Sequence, residues 1–257
     1  MFIYYTIVLF VFGLVLGSFY NVVGYRLPKG ESLLFPSSHC PNCNHKIKWY
    51  ENIPLISYII QIGKCRGCKK SISIIYPTIE VITGLLFASS YVLFGFSIEL
   101  FVSLILVSIF IIIIVSDIRY MIIPDELLVI GIVSILILYF FKYNLTEMGF
   151  KILDIILSFG IMYSLKLLGD FIFKKESLGG GDIKLMALIG LVVGWELSII
   201  TIFIASILAL PIASLFLYTK KEHILAFGPF LCIGTLILYF LETDINQIMN
   251  LILKIYG

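Results

Sequence analysis

Charged residues are scarce in this 257-residue chain. They make up 13% of it, whereas an ordinary soluble domain carries about 25%. Hydrophobic residues make up 60% and the mean hydropathy is +1.09, a composition that excludes a soluble globular protein. The formal net charge is only +2, and the basic residues flank apolar runs instead of forming one stripe, so we expect no nucleic-acid partner.

The N-terminus lacks the basic segment that precedes a cleavable secretory signal. We therefore expect the first apolar run to remain as a transmembrane helix. Seven further apolar runs follow, separated by short polar breaks or breaks that contain Gly or Pro. The eight runs cover about residues 2–23, 72–95, 98–116, 127–141, 152–169, 183–194, 197–218 and 224–241.

Basic residues set the expected orientation of these runs. If the chain crosses alternately from an outside N-terminus, fifteen Lys and Arg residues lie inside and three lie outside, as the positive-inside rule requires. The outside residues are Lys142, Lys151 and Lys254. Run 183–194 rises only about 18 Å and could be re-entrant, but Lys220 and Lys221 would then lie outside, so we favour a short crossing.

Four cysteines lie in the loop that follows the first run, from about Arg26 to Ser71. They form two C-x-x-C pairs separated by 21 residues, Cys40 with Cys43 and Cys65 with Cys68. Each pair can place two thiolates on one turn, and two such turns complete the tetrahedral sulfur site that Zn²⁺ prefers. Since disulfides are uncommon in the cytoplasm, we predict structural zinc, with free or redox-active thiols as the alternative.

Other polar residues of this loop receive no functional role from the sequence. We expect His39 and His45 to be bystanders, because four cysteines suffice for the metal. Glu51 is expected to be a solvated loop residue. Cys232, in the last apolar run, is expected to be a small core residue.

Two aspartates stand at the predicted cytoplasmic ends of apolar runs. Asp117 ends the third run, and Asp182 opens the sixth after three glycines, Gly179, Gly180 and Gly181. Two neighbouring carboxyl groups share one proton, so the pair could activate water and protonate a leaving amine. A transporter's proton relay would use the same residues, and the sequence does not say which aspartate holds the proton.

The glycine segment does not end in Gly-Lys-Ser/Thr and follows no strand pattern, which excludes a phosphate-binding loop. The chain also lacks a βαβ unit with G-x-G-x-x-G, so a Rossmann-type methyltransferase is absent.

Motifs along nearly the whole chain resemble those of the bacterial prepilin peptidases, also called type IV leader peptidases, which are GxGD-type intramembrane aspartyl proteases. The matching segments are 17–28 (GSFYNVVGYRLP), the two cysteine pairs, 47–54 (IKWYENIP), 76–80 (YPTIE), Asp117 with 123–125 (IPD), 179–184 (GGGDIK) and 227–230 (FGPF).

The resemblance implies a bifunctional enzyme. It would cut the basic leader from type IV prepilins or type II secretion pseudopilins at the cytoplasmic face of the bacterial inner membrane. It would then methylate the new N-terminus with S-adenosylmethionine. The catalytic pair maps to Asp117 and Asp182. Asp125 is the rival, but its Pro-Asp-Glu context resembles a helix start.

The sequence also offers candidate residues for substrate or cofactor binding. We assign this role to the three glycines, Lys184 and Glu80. For Glu80 the alternative is a structural hydrogen-bond partner inside the bundle.

The sequence thus predicts an all-α polytopic membrane protein with about eight transmembrane helices and a small cytoplasmic zinc-knuckle insertion. Its parts would be a first transmembrane helix (1–24), a four-cysteine zinc-binding loop (25–71) and a helical transmembrane aspartyl protease core (72–257). Membrane lipid surrounds the core. The alternatives are an ion-coupled transporter with an Asp proton relay and a membrane assembly factor that docks a partner through the cysteines.

Overall fold

The computed structural model describes residues 1–218 and 225–242. Its helices are α1 (Phe2–Arg26), α2 (Ile56–Ile60), α3 (Ile75–Phe94), α4 (Ile98–Tyr120), α5 (Asp125–Phe140), α6 (Leu145–Phe173), α7 (Gly180–Val193), α8 (Trp195–Tyr218) and α9 (Gly228–Phe240). Short 3₁₀ helices cover Leu27–Lys29 and Trp49–Glu51. The described residues contain two isolated β-bridges but no strand, which confirms the predicted all-α class.

Each predicted apolar run corresponds to one of the longer helices. Within the described residues, five helices are long and apolar enough to cross a membrane: Phe2–Lys29, Ile75–Phe94, Ile98–Tyr120, Leu145–Phe173 and Trp195–Leu215. Gly228–Phe240 is a shorter apolar helix. The chain is thus a multi-pass membrane protein. The predicted inside residues Lys220 and Lys221 and the outside residue Lys254 lie outside the described residues.

Helix α6 begins seven residues before the predicted run. The reason is a reciprocal cap at its start, in which the side chains of Asn144 and Glu147 each accept a backbone N–H of the first turn. The N–H of Asn144 lies 2.9 Å from Oε2 of Glu147. A hydropathy pattern misses this turn because its capping residues, Asn144 and Glu147, are polar.

The described chain divides into two compact units, with the boundary between Tyr120 and Met121. In the first unit, α1 packs against both α3 and α4, and α3 packs against α4. Small residues bring α1 and α3 together. A Cβ atom on Gly13 would lie 2.8 Å from Cα of Gly84, and one on Gly17 would lie 2.9 Å from Cα of Glu80. Such close backbone approach is typical of helix pairs in membranes.

Hydroxyl groups join the helices of the first unit where lipid offers no other partner. Tyr20 of α1 donates a hydrogen bond of 2.6 Å to Oγ of Ser108 in α4. Ser103 of α4 donates to Ser90 of α3. These contacts satisfy polar groups that would otherwise be costly in an apolar medium.

Helix α7 is the centre of the second unit. It packs against α5, α6, α8 and α9, and nearly all its residues from Ile183 to Val192 are buried. Its 14 residues rise about 21 Å, so it is shorter than the five candidate spans. A helix that is apolar on all sides is buried by its neighbours, which accounts for an apolar run of this length.

We predict that Gly13→Ala destabilises the first unit by about 1–3 kcal/mol, because the new methyl group meets the backbone of α3 and cannot be relieved by a side-chain rotation. The measurement is unfolding of the detergent-solubilised protein by increasing SDS. Gly160→Ala in α6 is the matched control, since open space surrounds that position. Equal unfolding midpoints for the two variants would contradict the close approach of α1 and α3.

Candidate functional site

The two cysteine pairs form two knuckles of the same backbone shape. In the first, the N–H of Cys40 donates to the carbonyl of His45 (3.0 Å), and the N–H of Asn44 donates back to the carbonyl of Cys40 (2.9 Å). In the second, Cys65 pairs in the same way with the residues four and five positions later, both at 2.9 Å. The residue after each pair adopts a left-handed conformation, Asn44 at φ 57° and Lys69 at φ 60°.

The knuckles bring all four sulfur atoms together. Every Sγ atom lies within 4.8 Å of the others, with 3.9 Å between Cys40 and Cys68 and 4.0 Å between Cys43 and Cys65. A tetrahedral Zn–S site with bonds of about 2.3 Å requires sulfur atoms about 3.8 Å apart. The cluster therefore fits a tetrahedral metal ion with little rearrangement.

The thiols already differ in acidity before a metal binds. The backbone N–H groups of Asn42 and Cys43 lower the pKa of Cys40 to about 7. For Cys43 the N–H of His45 acts in the same direction, but burial and the neighbouring thiols outweigh it and raise the pKa to about 11. Metal binding must displace the protons that remain, so the affinity for metal falls as the pH falls.

Glu51 lies between the two knuckles and contacts both of them. The expectation that it is a solvated loop residue is wrong. Its side chain is 5% exposed. Oε2 accepts the N–H of Lys48 at 2.9 Å and lies 3.2 Å from Nε2 of His45. Oε1 lies 3.4 Å from Nε of Arg66. The Lys48 N–H, aided by His45 and Arg66, lowers the pKa of this carboxyl group.

The histidines are not part of the sulfur cluster. Among the described residues, the group placed to hold a metal consists of the four cysteines alone. Nδ1 of His39 lies 3.1 Å from the carbonyl of Ser37, and His45 faces Glu51. Cys232 is fully buried in α9, as expected of a core residue.

Asp117 lies in the last turn of α4, in the first unit, and is 5% exposed. Asp182 lies in the first turn of α7, in the second unit, and is half-buried. The two predicted catalytic residues thus stand at a helix C-terminus and a helix N-terminus. Each has a polar interaction within the structure.

The glycines before Asp182 differ in the space around them. Gly179 is the residue before the helix, where a Cβ atom would lie 3.1 Å from Oδ2 of Asp182 and crowd the carboxylate. A Cβ atom on Gly181 would lie 2.9 Å from Cβ of Ile123. Gly180 is surrounded by open space. The segment therefore combines a tight approach to residue 123 with room beside the carboxylate.

Lys184 lies two residues after Asp182 and pairs with Asp125. Its Nζ atom is 2.8 Å from Oδ1 and 2.7 Å from Oδ2 of that carboxylate. Both side chains are about half exposed, at 51% and 61%, so the pair is screened by solvent and contributes little to stability. It joins the N-terminal ends of α5 and α7.

Asp170, near the end of α6, organises the loop that leads to the glycines. Its Oδ1 atom accepts the N–H of Ser177 at 2.7 Å and the hydroxyl of the same serine at 2.9 Å. The carboxylate thereby folds the loop between α6 and α7. An Asp seven residues before a Ser carries no sequence signal for this contact.

Glu80 is buried in α3, where it is 7% exposed. Its Oε2 atom accepts the N–H of Leu55 at 2.8 Å, and Ser18 of α1 also forms a hydrogen bond with its side chain. Glu80 thus connects the membrane helices to the chain that follows the first knuckle.

Asn21 is a buried polar residue that the motif analysis did not single out. It is 2% exposed, and its Nδ2 atom donates to the carbonyls of Gly17 (3.1 Å) and Tyr76 (3.3 Å). Its Oδ1 atom receives no hydrogen bond from the described residues. Since Gly17 also contacts Glu80, the two side chains share the seam between α1 and α3.

Two family models match this chain over most of its length. Residues 11–94 match the Bacterial Peptidase A24 N-terminal domain, and residues 104–214 match the Type IV leader peptidase family. The first match contains the cysteines and Glu80, and the second contains Asp117 and Asp182.

Curated relatives carry the name prepilin leader peptidase/N-methyltransferase. One from Bacillus subtilis is 32% identical over 90% of this chain and 92% of the relative. One from Myxococcus xanthus is 36% identical over 75% of this chain and 57% of the relative. One from Pectobacterium carotovorum is 31% identical over 87% of this chain and 88% of the relative. No solved structure matches the chain.

We predict that replacing Cys40 and Cys43 together with Ser reduces bound metal from about one ion per chain to almost none, because two of four ligands are lost. The measurement is elemental analysis of the purified full-length protein. Cys232→Ala is the matched control and should leave the metal content unchanged. Equal metal content in the double variant and the control would contradict the site.

Proposed function

The chain belongs to the type IV leader peptidase family, as its motifs predicted, and we propose that it is a bifunctional enzyme of the bacterial inner membrane. It cuts the basic leader from type IV prepilins or pseudopilins and methylates the new N-terminus with S-adenosylmethionine. The observation that carries the proposal is the placement of Asp182 in the first turn of α7, directly after its glycines, within the stretch that matches the family.

Asp117 and Asp182 form the catalytic pair of this proposal. Two carboxyl groups in close proximity hold one proton between them. The N-terminus of α7 favours negative charge, so Asp182 takes the role of general base and Asp117 carries the shared proton. Asp182 removes a proton from a water molecule as the oxygen of that water attacks the peptide carbonyl. Asp117 protonates the carbonyl oxygen. As the C–N bond breaks, Asp182 gives the proton taken from water to the leaving amine, and the gem-diol hydroxyl returns a proton to Asp117.

The glycine segment and Lys184 would bind the substrate beside this pair. Gly180 leaves open space at the start of α7, where N–H groups of the first helical turn can donate to a peptide carbonyl oxygen. Lys184 is held at the same helix start by Asp125. A prepilin carbonyl or carboxylate could exchange with this exposed ion pair.

The active site would lie at the cytoplasmic face of the membrane. A prepilin presents a basic leader followed by an apolar helix, so its cleavage site falls at the boundary between lipid and water. Asp117 and Asp182 lie at helix ends that the positive-inside rule assigns to the cytoplasmic side. Substrate and enzyme then meet in the plane of the bilayer, with lipid as the shared solvent.

The four cysteines would hold a structural Zn²⁺ ion. The separations of their sulfur atoms suit four Zn–S bonds, and such a site contributes folding free energy to a segment with a small apolar core. The ion would fix the chain on either side of Glu51. We retain the division into a first helix (1–24), a zinc-binding loop (25–71) and a protease core (72–257) as part of this proposal.

The methylation site would lie where α1 and α3 meet this loop. S-adenosylmethionine supplies an electrophilic methyl group, and both the donor and the substrate amine carry positive charge. Glu80 provides a buried carboxylate and Asn21 an unpaired carbonyl oxygen on the same helix seam. A buried carboxylate and a buried carbonyl oxygen that receives no hydrogen bond suit a cation. We therefore assign binding of the methyl donor or the substrate ammonium to these residues.

The transporter and assembly-factor alternatives are not favoured. Both would leave the match to a peptidase family unexplained. Neither requires glycines 179–181 to stand directly before an acid.

For the protease, we predict that Asp117→Asn and Asp182→Asn each abolish leader cleavage, with rates reduced by a factor of about 10³ or more, because the shared proton is lost. The assay follows a synthetic prepilin in proteoliposomes by mass spectrometry. Glu126→Gln, at an exposed position of α5, is the control and should cleave normally. Cleavage by both Asn variants would show that the chain is not an aspartyl protease.

For the methyltransferase, we predict that Glu80→Gln lowers methylation at least tenfold but leaves cleavage intact. Gln can still accept the Leu55 N–H, so the variant removes the charge and keeps the contact. Glu80→Ala removes both and tests the structural role. Transfer of label from S-adenosylmethionine to pre-cleaved pilin is the measurement. If only the Ala variant loses methylation, Glu80 acts through structure and does not bind the cation.

A further inference from the structure

The segment between α1 and α3, residues 27–74, exposes an unusual amount of apolar side chain for its size. We call it the cysteine module. Trp49 is 81% exposed and Ile62 is 82% exposed. Ile59 and Ile60 at the end of α2 are also exposed. Contiguous apolar surface on a water-facing segment marks an interaction surface.

Basic residues surround this apolar surface. Ile60 and Ile62 line a shallow concavity of about 510 Å³ together with Gln61, Lys64, Arg66 and Lys69. The cysteine module carries seven Lys and Arg residues against two acids. Of these acids, Glu51 is buried against Arg66, and Glu31 lies 3.8 Å from Lys29. Within the cysteine module, the acid that lies beside the basic residues of the concavity is therefore Glu51.

Aromatic rings extend the same surface. The guanidinium carbon of Arg66 lies 5.4 Å from the centre of the Tyr50 ring, and the Trp49 ring meets that of Tyr50 edge-on at 5.7 Å. Trp and Tyr concentrate at the boundary between lipid and water, where one end of the ring is apolar and the other is polar. Arg66 thus joins the aromatic pair to the isoleucine concavity.

Both ends of the cysteine module enter helices that are long enough to cross the membrane, Phe2–Lys29 and Ile75–Phe94. The module is therefore held within a short distance of the headgroup layer. Such tethering converts membrane contact into an intramolecular event, so that even a weak site is occupied.

We propose that the concavity and its aromatic neighbours form a binding surface for anionic phospholipid. Lys64, Arg66 and Lys69 contact the phosphate, and the exposed isoleucines contact the upper part of the acyl chains. Each basic group near an anionic membrane adds to the electrostatic attraction between the two. A second copy of this module or a basic peptide would be repelled by the same three residues, so neither suits the surface.

The test uses the intrinsic fluorescence of Trp49. The chain contains two tryptophans, so Trp195→Phe leaves Trp49 as the sole emitter in the full-length protein. We expect quenching by lipids brominated near the headgroup to be at least about twofold stronger when the vesicles contain about 30% phosphatidylglycerol than when they are purely phosphatidylcholine. Added salt should reduce the difference, because it screens the basic residues.

Two further variants assign the effect to this surface. Lys64→Gln with Lys69→Gln should abolish the dependence on phosphatidylglycerol, whereas Lys46→Gln, an exposed lysine of the same module outside the concavity, should preserve it. Ile60→Ser with Ile62→Ser should weaken quenching in both lipids. Retained metal content verifies that each module is folded.

Four results would overturn the proposal. Trp49 could remain unquenched in both lipid compositions. Quenching could be equally strong with and without phosphatidylglycerol. The double variant of Lys64 and Lys69 could also keep the full dependence on phosphatidylglycerol. Finally, quenching could require added prepilin peptide, which would make the surface a substrate site. None of these outcomes depends on whether leader cleavage occurs.

Discussion

The free-energy cost of burying an acidic side chain constrains this structure. An ionised carboxylate in an apolar medium is expensive unless hydrogen bonds or charge partners compensate for it. Within the described residues, the buried acids are Glu51, Glu80 and Asp117. Glu51 and Glu80 receive backbone N–H groups, and Glu51 also faces two cationic side chains. Local contacts therefore explain the burial of Glu51 and Glu80. Asp117, in the last turn of α4, also has a polar interaction within the structure.

Close helix packing makes these positions possible. In the first unit, glycines on α1 let Glu80 and Asn21 lie along one seam with α3. In the second unit, four helices enclose α7. Packing against these helices therefore fixes the position of its first turn. Glycines at 179 and 181 then allow the chain to approach Ile123 while leaving room for the Asp182 carboxylate. The proposed catalytic roles and the packing constraints thus fall on the same few residues.

Features determined by local sequence were predictable. Apolar runs predicted the helices. The spacing of the cysteines predicted a cluster, which the folded chain forms from Cys40, Cys43, Cys65 and Cys68. Features that depend on partners distant in the sequence were not. Glu51 was assigned to solvent because nothing near it in the sequence reveals His45 and Arg66 on either side. The early start of α6 was missed because its capping residues are polar, and the enclosure of α7 depends on four other helices.

The dependence of leader cleavage on pH tests the central claim most directly. For the full-length protein in proteoliposomes, a shared proton between Asp117 and Asp182 predicts a bell-shaped profile of kcat/KM. Activity would fall at low pH as both carboxyl groups become protonated and at high pH as both ionise. A profile that rises through a single ionisation to a plateau would indicate one isolated base and would contradict the account.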